Sequence, residues 1–250
     1  MNDVKKVIAE RSYKKVYQEG DRVLKVFAEN HPKEDVFNEA LNQARVEATG
    51  LPVPVVQEVK SMDGQWILAM DFVSGKNMDE LMHADVDKKA AYMEQFVDLQ
   101  VTIHGKKAPL LNKMKDKFTR QIMDNKLLSD SMKFELCSRM ESMPNHTKVC
   151  HGDYNPSNVL VGEDGKLIVI DWAHVTQGNA SADAAMTYLL FALKDEGDAE
   201  TYLDLFCKKT NTEKSYVQKW LPIVAAAQLS KGKDTEKEFL MKWIDVVEYQ

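Results

Sequence analysis

Residues 149–172, VCHGDYNPSNVLVGEDGKLIVIDW, decide how this chain folds. The apolar runs VLV and LIVI flank a turn at 163–166, which predicts a hairpin preceded by a short strand near 149. The second strand of this hairpin continues directly into Asp171. The pattern therefore brings three polar residues, Asp153, Asn158 and Asp171, to one end of a hairpin.

These residue types suit phosphoryl transfer. Protein kinases use the same spacing for the base, the second metal ligand and the principal metal ligand. A carboxylate and an amide carbonyl supply the hard oxygens that Mg²⁺ prefers, and a further carboxylate accepts the proton of the attacking hydroxyl. Taken singly, His151-Gly152-Asp153 is also typical of a tight turn and Asp171 of a helix cap. The three residues together favour the catalytic interpretation.

The segment before this hairpin predicts a small sheet. Three strands are expected in VKKVIAE, KKVYQEG and DRVLKVFAE, with turn chemistry at Glu19-Gly20-Asp21. A helix is expected over about 32–49, ended by Gly50. The stretch VVQEVKSMDGQWILAMDFV then predicts two strands around Asp63-Gly64. The result is a five-stranded antiparallel sheet with one helix.

Most of the remaining chain is predicted to be helical, at about 78–83, 87–104, 110–126, 129–143 and again from 180 to 250. An amphipathic face marks the third of these helices and consists of Leu110, Leu111, Met114, Phe118 and Ile122. The predicted fold class is therefore α+β, with two lobes as in protein kinases. Residues 1–75 form the nucleotide-binding lobe, and 76–250 form a mainly helical lobe that contains the catalytic hairpin and binds the acceptor.

A lysine and a glutamate in the N-terminal part provide an independent check. Kinases use a lysine on the third strand for the α- and β-phosphates and a helix glutamate to hold it. Lys25 lies in the apolar strand VLKVF, and Glu39 follows fourteen residues later on the predicted helix. The alternatives are an edge-strand charge for Lys25 and a solvated helix face for Glu39, with Glu34 and Glu47 as rivals for the pairing.

Composition excludes several other classes of protein. The 250 residues carry a formal net charge of −6, without the basic excess typical of nucleic-acid binding. The three cysteines have no CxxC spacing, which argues against a disulfide framework or a zinc ribbon. No apolar run is long enough for a membrane span, and the beginning of the sequence lacks the pattern of a signal peptide. We therefore expect a cytoplasmic protein that binds neither nucleic acid nor membranes.

The chain resembles the aminoglycoside phosphotransferase and choline kinase superfamily over nearly its whole length. The matching pieces are RVLKVF, the helix with Glu39, GLPVPVV, ILAMDFVSG, HGDYNPSNVLV and VIDW. The resemblance implies Mg²⁺ with ATP or GTP as phosphate donor. It also implies Asp153 as catalytic base, Asn158 and Asp171 as metal ligands, and Lys25, oriented by Glu39, on the phosphates.

The resemblance further implies where the nucleotide binds. The backbone of Asp71 and Val73 would hydrogen-bond the purine edge, and the ring would lie between the apolar side chains of Val23, Met70, Leu160 and Ile170. These apolar residues fit an ordinary core equally well. Residues 10–15 depart from the kinase pattern because the turn over the phosphates contains no glycine. Ser12 could donate a hydrogen bond there, and Lys14 or Lys15 could add charge, or the turn could simply be solvated.

The acceptor is expected to be a small molecule with a hydroxyl. An acidic bias over 179–204 would suit an amine-bearing acceptor such as an aminoglycoside or choline, although a solvated helix explains it equally well. A protein kinase is disfavoured because no long activation loop fits between Asp171 and the helix of Asp183. A nucleotide-binding scaffold without turnover is the other alternative.

Overall fold

The computed structural model describes residues 6–245. Its first element is a five-stranded antiparallel sheet with strand order β1-β2-β3-β5-β4, which confirms the predicted sheet. The strands are β1 (Lys6–Glu10), β2 (Lys14–Glu19), β3 (Arg22–Phe27), β4 (Val56–Met62) and β5 (Gln65–Asp71).

Left-handed turn residues join these strands where the sequence predicts turns. Gly20 connects β2 to β3 with φ 59°, and Asp63 and Gly64 connect β4 to β5 with φ 51° and 79°. Two successive residues with positive φ match the right-handed twist of a hairpin, and Asp-Gly tolerates that conformation well. These turns fix the strand register.

The strand alternation separates two apolar faces. Phe27, Leu68 and Met70 pack together on one face with Val36 and Ala40 of helix α1 (Lys33–Glu47). Leu24, Ile67 and Ala69 form the cluster of the other face. Since side chains alternate along a strand, Lys25 shares a face with Phe27 and points toward α1. Strand β3 lies between β2 and β5, so Lys25 is not an edge-strand charge.

The predicted hairpin is formed by β8 (Val159–Val161) and β9 (Leu167–Val169), joined through Gly165 with φ 77°. Strand β8 also pairs with the short strand β6 (Lys76–Asn77), which leads into helix α2 (Met78–Ala84). This hairpin packs in the same compact unit as the five-stranded sheet: one unit extends to Asp85 and includes Pro156–His174. The predicted lobes, 1–75 and 76–250, instead assign the hairpin to the second lobe.

The second unit contains Val86–Asn155 and the chain from Val175 onward. Helix α9 (Leu221–Leu229) is buried along its whole length, as expected for a predominantly apolar helix. A two-stranded sheet joins β7 (Lys148–Cys150) and β10 (Thr176–Gly178). The elements are α3 (Lys89–His104), α4 (Met114–Met123), α5 (Asp130–Ser142), β7 (Lys148–Cys150), β10 (Thr176–Gly178), α6 (Ala180–Ala192), α7 (Glu196–Thr210), α8 (Lys214–Gln218), α9 (Leu221–Leu229) and α10 (Asp234–Asp245).

Helix α4 begins at Met114, so the predicted start at 110 is wrong. The carbonyls that a helix from 110 would need are bonded elsewhere: the Gln177 side chain donates to the carbonyls of Pro109 and Leu111, at 2.9 and 2.6 Å. The Gln177 backbone N–H donates to the carbonyl of Asn112 at 2.9 Å. Periodicity in the sequence does not reveal these contacts, because Gln177 is distant along the chain.

Within residues 6–245, none of the helices combines the length and the apolar character that crossing a membrane would require.

Leu110 and Leu111 test whether helix α4 starts at Met114 or already at residue 110. Leu111 is 3% exposed and Leu110 is 73% exposed. We expect Leu111→Ala to lower the free energy of unfolding by about 2–5 kcal/mol through cavity formation, and Leu110→Ala to change it by less than about 0.5 kcal/mol. Urea unfolding of both variants measures this difference. Equal losses would mean that both leucines are buried, as in a helix that starts at 110.

Candidate active site

A buried ion cluster lies between the sheet and α1. The Lys25 ammonium donates a hydrogen bond to Glu39 Oε1 and another, 2.9 Å long, to Asp171 Oδ1. The side chains of Lys25 and Glu39 are each 10% exposed, and that of Asp171 is 34% exposed. The structure thus brings together three residues that the sequence singles out from positions far apart in the chain.

The charge of Lys25 depends on these two carboxylates. Burial alone would lower the pKa of Lys25, but Asp171 and Glu39 together raise it above the ordinary lysine value. The ammonium therefore stays protonated at neutral pH, and a cation is available for a polyphosphate.

Lys14, which the sequence offered together with Lys15 as added charge near the phosphates, is the fourth member of the cluster. Its ammonium lies 3.5 Å from Asp171 Oδ1 and 3.7 Å from Glu39 Oε1, with the side chain 7% exposed. Its neighbour Lys15 is exposed and pairs with Glu10 instead, at 2.9 Å. Lys14 stands opposite Phe27 in the β2–β3 register, so strand alternation places it on the face of Lys25. The register of β2 against β3 therefore distinguishes Lys14 from Lys15.

The rival glutamates have other positions. Glu47 Oε1 accepts a hydrogen bond from the Val56 N–H at 2.8 Å, and Glu34 is exposed in the first turn of α1. Glu39 is buried on the face of α1 turned toward the sheet, so it pairs with Lys25.

Asn158 and Asp171 are linked through the backbone. Asn158 ends a short 3-10 turn, and its carbonyl accepts a hydrogen bond of 2.9 Å from the N–H of Ile170, the residue before Asp171. Asp171 has φ 63°, a left-handed conformation that is uncommon outside glycine and that clusters at functional sites. A carboxylate and an amide near one another fit the oxygen ligands of Mg²⁺.

Flanking contacts hold this segment in place. The Val169 N–H donates to the Pro52 carbonyl at 3.0 Å, and the Asn42 side chain donates from α1 to the Ala173 carbonyl at 3.2 Å. These two bonds bracket Asp171, so the strained residue is supported on both sides.

The loop that carries Asp153 is held by a buried carboxylate in the second unit. Asp183 accepts hydrogen bonds from the backbone N–H groups of Gly152 and His151, at 2.7 and 3.2 Å, and its Oδ2 lies 2.9 Å from His104 Nε2. Burial would raise the pKa of Asp183, but His104 and the Gly152 amide lower it below its ordinary value. Asp183 thus holds the backbone of the loop that carries Asp153.

Asp153 itself is half-buried and has cationic neighbours. Its N–H donates to His151 Nδ1 at 3.2 Å, and its carbonyl accepts from the Asn155 side chain at 2.9 Å. Its Oδ1 lies 3.6 Å from the Lys231 ammonium. Lys117 of α4 also interacts electrostatically with Asp153 and Lys231. Neither lysine was singled out from the sequence, because both are close to Asp153 only through helix packing.

The residues assigned to the nucleotide all lie in the first unit. Val23 and Met70 are register partners, and Met70 is 5% exposed within the core cluster beside α1. Leu160 and Ile170 are half-buried, and Ser12 is exposed in the turn between β1 and β2.

The hinge backbone after β5 is partly committed to the sheet. The Asp71 N–H donates to the Val55 carbonyl at 3.0 Å, and the Asp71 carboxylate accepts from Gln57 at 2.6 Å. Val73 follows β5 and is half-buried.

The acidic bias of 179–204 has structural explanations. Glu200 and Asp204 pair with Lys214 at 2.7 and 2.8 Å, and Asp198 pairs with Lys89 at 2.6 Å. Asp195 caps α7 by accepting from the Asp198 N–H. The observation that favoured an amine-bearing acceptor is therefore largely accounted for by contacts within the protein.

The α+β fold, with its five-stranded sheet, its lysine–glutamate pair and its hairpin ending in Asp171, is that of the protein-kinase-like phosphotransferases. The chain belongs to the phosphotransferase enzyme family, whose model matches residues 5–216. This confirms the resemblance seen in the sequence. No curated protein matches the chain by sequence.

Solved structures of similar fold include both branches of the superfamily. A thermostable mutant of the aminoglycoside phosphotransferase APH(4)-Ia, in a ternary complex with ADP and hygromycin B, has a TM-score of 0.73 and 14% identity over 98% of this chain and 92% of that chain. A choline/ethanolamine kinase family protein from Mesorhizobium loti has a TM-score of 0.66 and 13% identity, covering 99% and 88%. Choline kinase LicA from Streptococcus pneumoniae has a TM-score of 0.64 and 14% identity, covering 97% and 93%. At such identities the similarity establishes the fold.

Removing the Asp183 charge tests the support of the Asp153 loop. We expect Asp183→Asn to lower the free energy of unfolding at pH 7 by about 1.5–3 kcal/mol, because it removes a buried charged acceptor of hydrogen bonds from the Gly152 and His151 N–H groups. Because the folded-state pKa of Asp183 is lowered, its stabilisation is complete above the ordinary aspartate pKa of about 4 and is lost as pH falls through the folded value.

Urea unfolding of both proteins between pH 7 and pH 3 should therefore show a difference that shrinks toward acid pH. Asp164→Asn is the control, because Asp164 is exposed in the hairpin turn and should leave stability nearly unchanged. A difference that grows toward acid pH would contradict the lowered pKa.

Proposed function

We propose that this phosphotransferase is a Mg²⁺-dependent kinase that moves the γ-phosphate of ATP or GTP to a hydroxyl of a small molecule. The observation that carries the proposal is the buried cluster of Lys25, Glu39 and Asp171. A cation held between two carboxylates has little structural advantage over an apolar core, but it suits a site that must receive a polyphosphate.

In this proposal Lys25 binds the α- and β-phosphates, and Glu39 holds its ammonium in position. Lys14 adds a second cation beside Asp171. The turn at 10–15 contains no glycine, and the charge of Lys14 would replace the backbone N–H groups that a glycine-rich turn presents to phosphates. Ser12, exposed in the same turn, would donate from its hydroxyl or amide.

Asp171 and Asn158 would hold Mg²⁺ through a carboxylate and an amide oxygen. The bound metal ion would neutralise charge on the β- and γ-phosphates. If Asp171 held the metal ion, Lys25 and Lys14 would be free to pair with phosphate oxygens in place of its carboxylate.

Asp153 is proposed to accept the proton of the acceptor hydroxyl. The hydroxyl oxygen attacks the γ-phosphorus in line, the bond from the γ-phosphorus to the bridging oxygen breaks, and the nucleoside diphosphate leaves with that electron pair. Since the transition state is loose, positioning and electrostatics supply most of the catalysis. The hydrogen bonds of Asp183 to the 151–152 backbone serve this positioning.

The purine is proposed to bind at the hinge backbone. Because the Asp71 N–H already donates to Val55, the carbonyl of Asp71 is the group left to accept from the purine, with the Val73 N–H as donor. The ring would contact Val23, Met70, Leu160 and Ile170. The half-buried state of Val23, Leu160 and Ile170 supports this assignment, because residues of a closed core would be fully covered.

Two other functions compete with the proposed small-molecule kinase. The missing glycines favour a nucleotide-binding scaffold without turnover, but Lys14 can supply the positive charge at the phosphates. A protein kinase is disfavoured because α6 begins at Ala180, nine residues after Asp171, and this leaves no room for a long activation segment.

Substitution of the two aspartates tests the chemistry. We expect Asp153→Asn to lower kcat by roughly 10²–10⁴-fold, the usual effect of losing a general base, while Mg²⁺-ATP still raises the melting temperature. Asp171→Ala should abolish both turnover and the Mg²⁺-dependent part of that shift. The measurements are acceptor-dependent transfer of radiolabelled phosphate and thermal unfolding with and without Mg²⁺.

Retained transfer by either variant would contradict the assigned roles. Nucleotide binding by the unaltered protein, without transfer to any hydroxylated acceptor, would favour the scaffold.

The paired lysines of β2 test the second phosphate-binding cation. We expect Lys14→Met to raise the KM for nucleotide by about tenfold, the equivalent of one charge-assisted hydrogen bond. Lys15→Met is the matched control, since Lys15 is exposed and bonded to Glu10, and should leave that KM unchanged. Steady-state kinetics with varied ATP and GTP provide the comparison. Equal effects of the two substitutions would refute a special role for Lys14.

A further inference from the structure

Three stacked rings anchor the glycine-free turn between β1 and β2. The Tyr13 ring is stacked on the His31 ring, with the centroids 5.4 Å apart and the planes 16° from parallel. The His31 ring is in turn stacked on Phe27, at 4.9 Å and 24°. Phe27 is 1% exposed and belongs to the core cluster beside α1. The stack therefore connects an exposed turn to the buried core of the first unit.

Backbone hydrogen bonds connect the same segments. The Ala28 N–H donates to the Tyr13 carbonyl at 2.9 Å, and the His31 N–H donates to the Ala28 carbonyl at 2.9 Å. Within the turn, the Arg11 N–H donates to the Lys14 carbonyl at 2.8 Å. A turn rich in glycine is conformationally permissive. This turn is instead fixed by main-chain bonds and ring contacts, so the position of Tyr13 is defined without a ligand.

The Tyr13 ring lies against the Lys14 ammonium. The ammonium is 5.6 Å from the ring centroid, within the range of cation–π contacts. The same ammonium lies 3.5 Å from Asp171 Oδ1 and 3.7 Å from Glu39 Oε1. The Lys14 side chain is only 7% exposed, whereas Tyr13 is 46% exposed. The ring therefore contributes to keeping this member of the ion cluster out of water.

The Tyr13 phenol is uncharged at neutral pH. Burial raises the pKa of Tyr13, and the negative charges of Asp171 and Glu39 act in the same direction, although Lys25 and Arg11 oppose them. The face of an uncharged aromatic ring attracts a cation. Such a ring can hold Lys14 without repelling a phosphate that approaches the same ammonium.

We propose that Tyr13 is a positioning residue for the nucleotide phosphates: its ring, held by His31 and Phe27, keeps the Lys14 ammonium in place to bind phosphate oxygens. This inference rests on the proposed function, in which Lys14 is a phosphate-binding cation. The rings would then perform the positioning that the backbone of a glycine-rich turn performs in protein kinases. An ammonium sheltered from water attracts phosphate more strongly than an exposed one.

Two other roles for Tyr13 predict different results. If the stack only stabilised the turn, loss of the ring would lower the free energy of unfolding and leave the affinity for nucleotide unchanged. If Tyr13 bound phosphate through its hydroxyl, Tyr13→Phe would weaken nucleotide binding as much as Tyr13→Ala.

The experiment measures the dissociation constant of a non-hydrolysable ATP analogue with Mg²⁺ by titration calorimetry, which requires no acceptor. We expect Tyr13→Ala to raise this constant about fivefold through loss of the cation–π contact. Tyr13→Phe should retain the affinity, because the ring remains. His31→Ala should weaken binding in the same direction, since it removes the ring on which Tyr13 stacks, and His31→Phe should restore it.

A double variant decides whether Tyr13 acts through Lys14. Tyr13→Ala combined with Lys14→Met should bind the analogue no more weakly than Lys14→Met alone, because no ammonium is then left to position. Phe37→Ala is the matched control and should leave the dissociation constant unchanged. Phe37 is 45% exposed and has the Lys33 ammonium 5.6 Å from its ring centroid, but Lys33 is not a member of the ion cluster.

An unchanged dissociation constant in Tyr13→Ala would overturn the inference. So would losses that multiply in the double variant, or a loss in Tyr13→Phe equal to that in Tyr13→Ala. Urea unfolding without nucleotide shows whether each variant is folded, and Tyr13→Leu, which keeps apolar bulk without a ring, replaces Tyr13→Ala if the latter unfolds. Failure of the proposed function is distinct, because the unaltered protein would then not bind the Mg²⁺-nucleotide at all.

Discussion

The ion cluster of Lys14, Lys25, Glu39 and Asp171 is the constraint on which the first unit depends. The two ammonium groups and the Glu39 carboxylate are largely removed from water, whereas Asp171 stays one-third exposed, and the attraction between the four groups must offset this loss of hydration. The sheet, α1 and Asp171, which follows β9 by two residues, each contribute to the cluster. Their relative placement is therefore set by charge as well as by the apolar packing of Phe27 and Leu68.

The cluster also explains the conformation around Asp171. A left-handed aspartate costs conformational energy, and the contacts of Val169 and Ala173 on either side supply the support. A residue that only capped a helix would not need this arrangement. The proposed catalytic residue of the second unit is also held by polar contacts, because the buried carboxylate of Asp183 fixes the backbone of the loop that carries Asp153.

Local patterns predicted much of the fold. The five strands, their turns at Gly20 and Asp63-Gly64, and the hairpin of β8 and β9 follow from alternation and turn chemistry, which act between neighbours in sequence. The pairing of Lys25 with Glu39 was also foreseeable, because a lone lysine in an apolar strand needs a partner. The start of α4 was not, since the competing hydrogen bonds come from Gln177.

The residues that sequence reasoning missed share one property: each acquires its role through a contact distant in sequence. The sequence left Lys14 and Lys15 as alternatives, and only the β2–β3 register, which places Lys14 opposite Phe27, separates them. Lys231, which follows α9, lies near Asp153 although the two residues are 78 positions apart in the sequence. In the acidic stretch of 179–204, Asp198 pairs with Lys89, and Glu200 and Asp204 pair with Lys214, which is a further set of contacts that the sequence alone does not reveal.

The distribution of charge separates two tasks within the same chemistry. Lys14 and Lys25 are neutralised by the carboxylates of Glu39 and Asp171. Because Asp171 is also a proposed Mg²⁺ ligand, a metal ion bound to it would leave the two lysines available to phosphate oxygens. Asp153 has a cation beside it from the protein itself, because the Lys231 ammonium lies 3.6 Å from its Oδ1. A loose phosphoryl-transfer transition state gains more from fixed electrostatics than from a strong base, so a fixed lysine beside Asp153 is compatible with the proposed reaction although it does not make that carboxylate more basic.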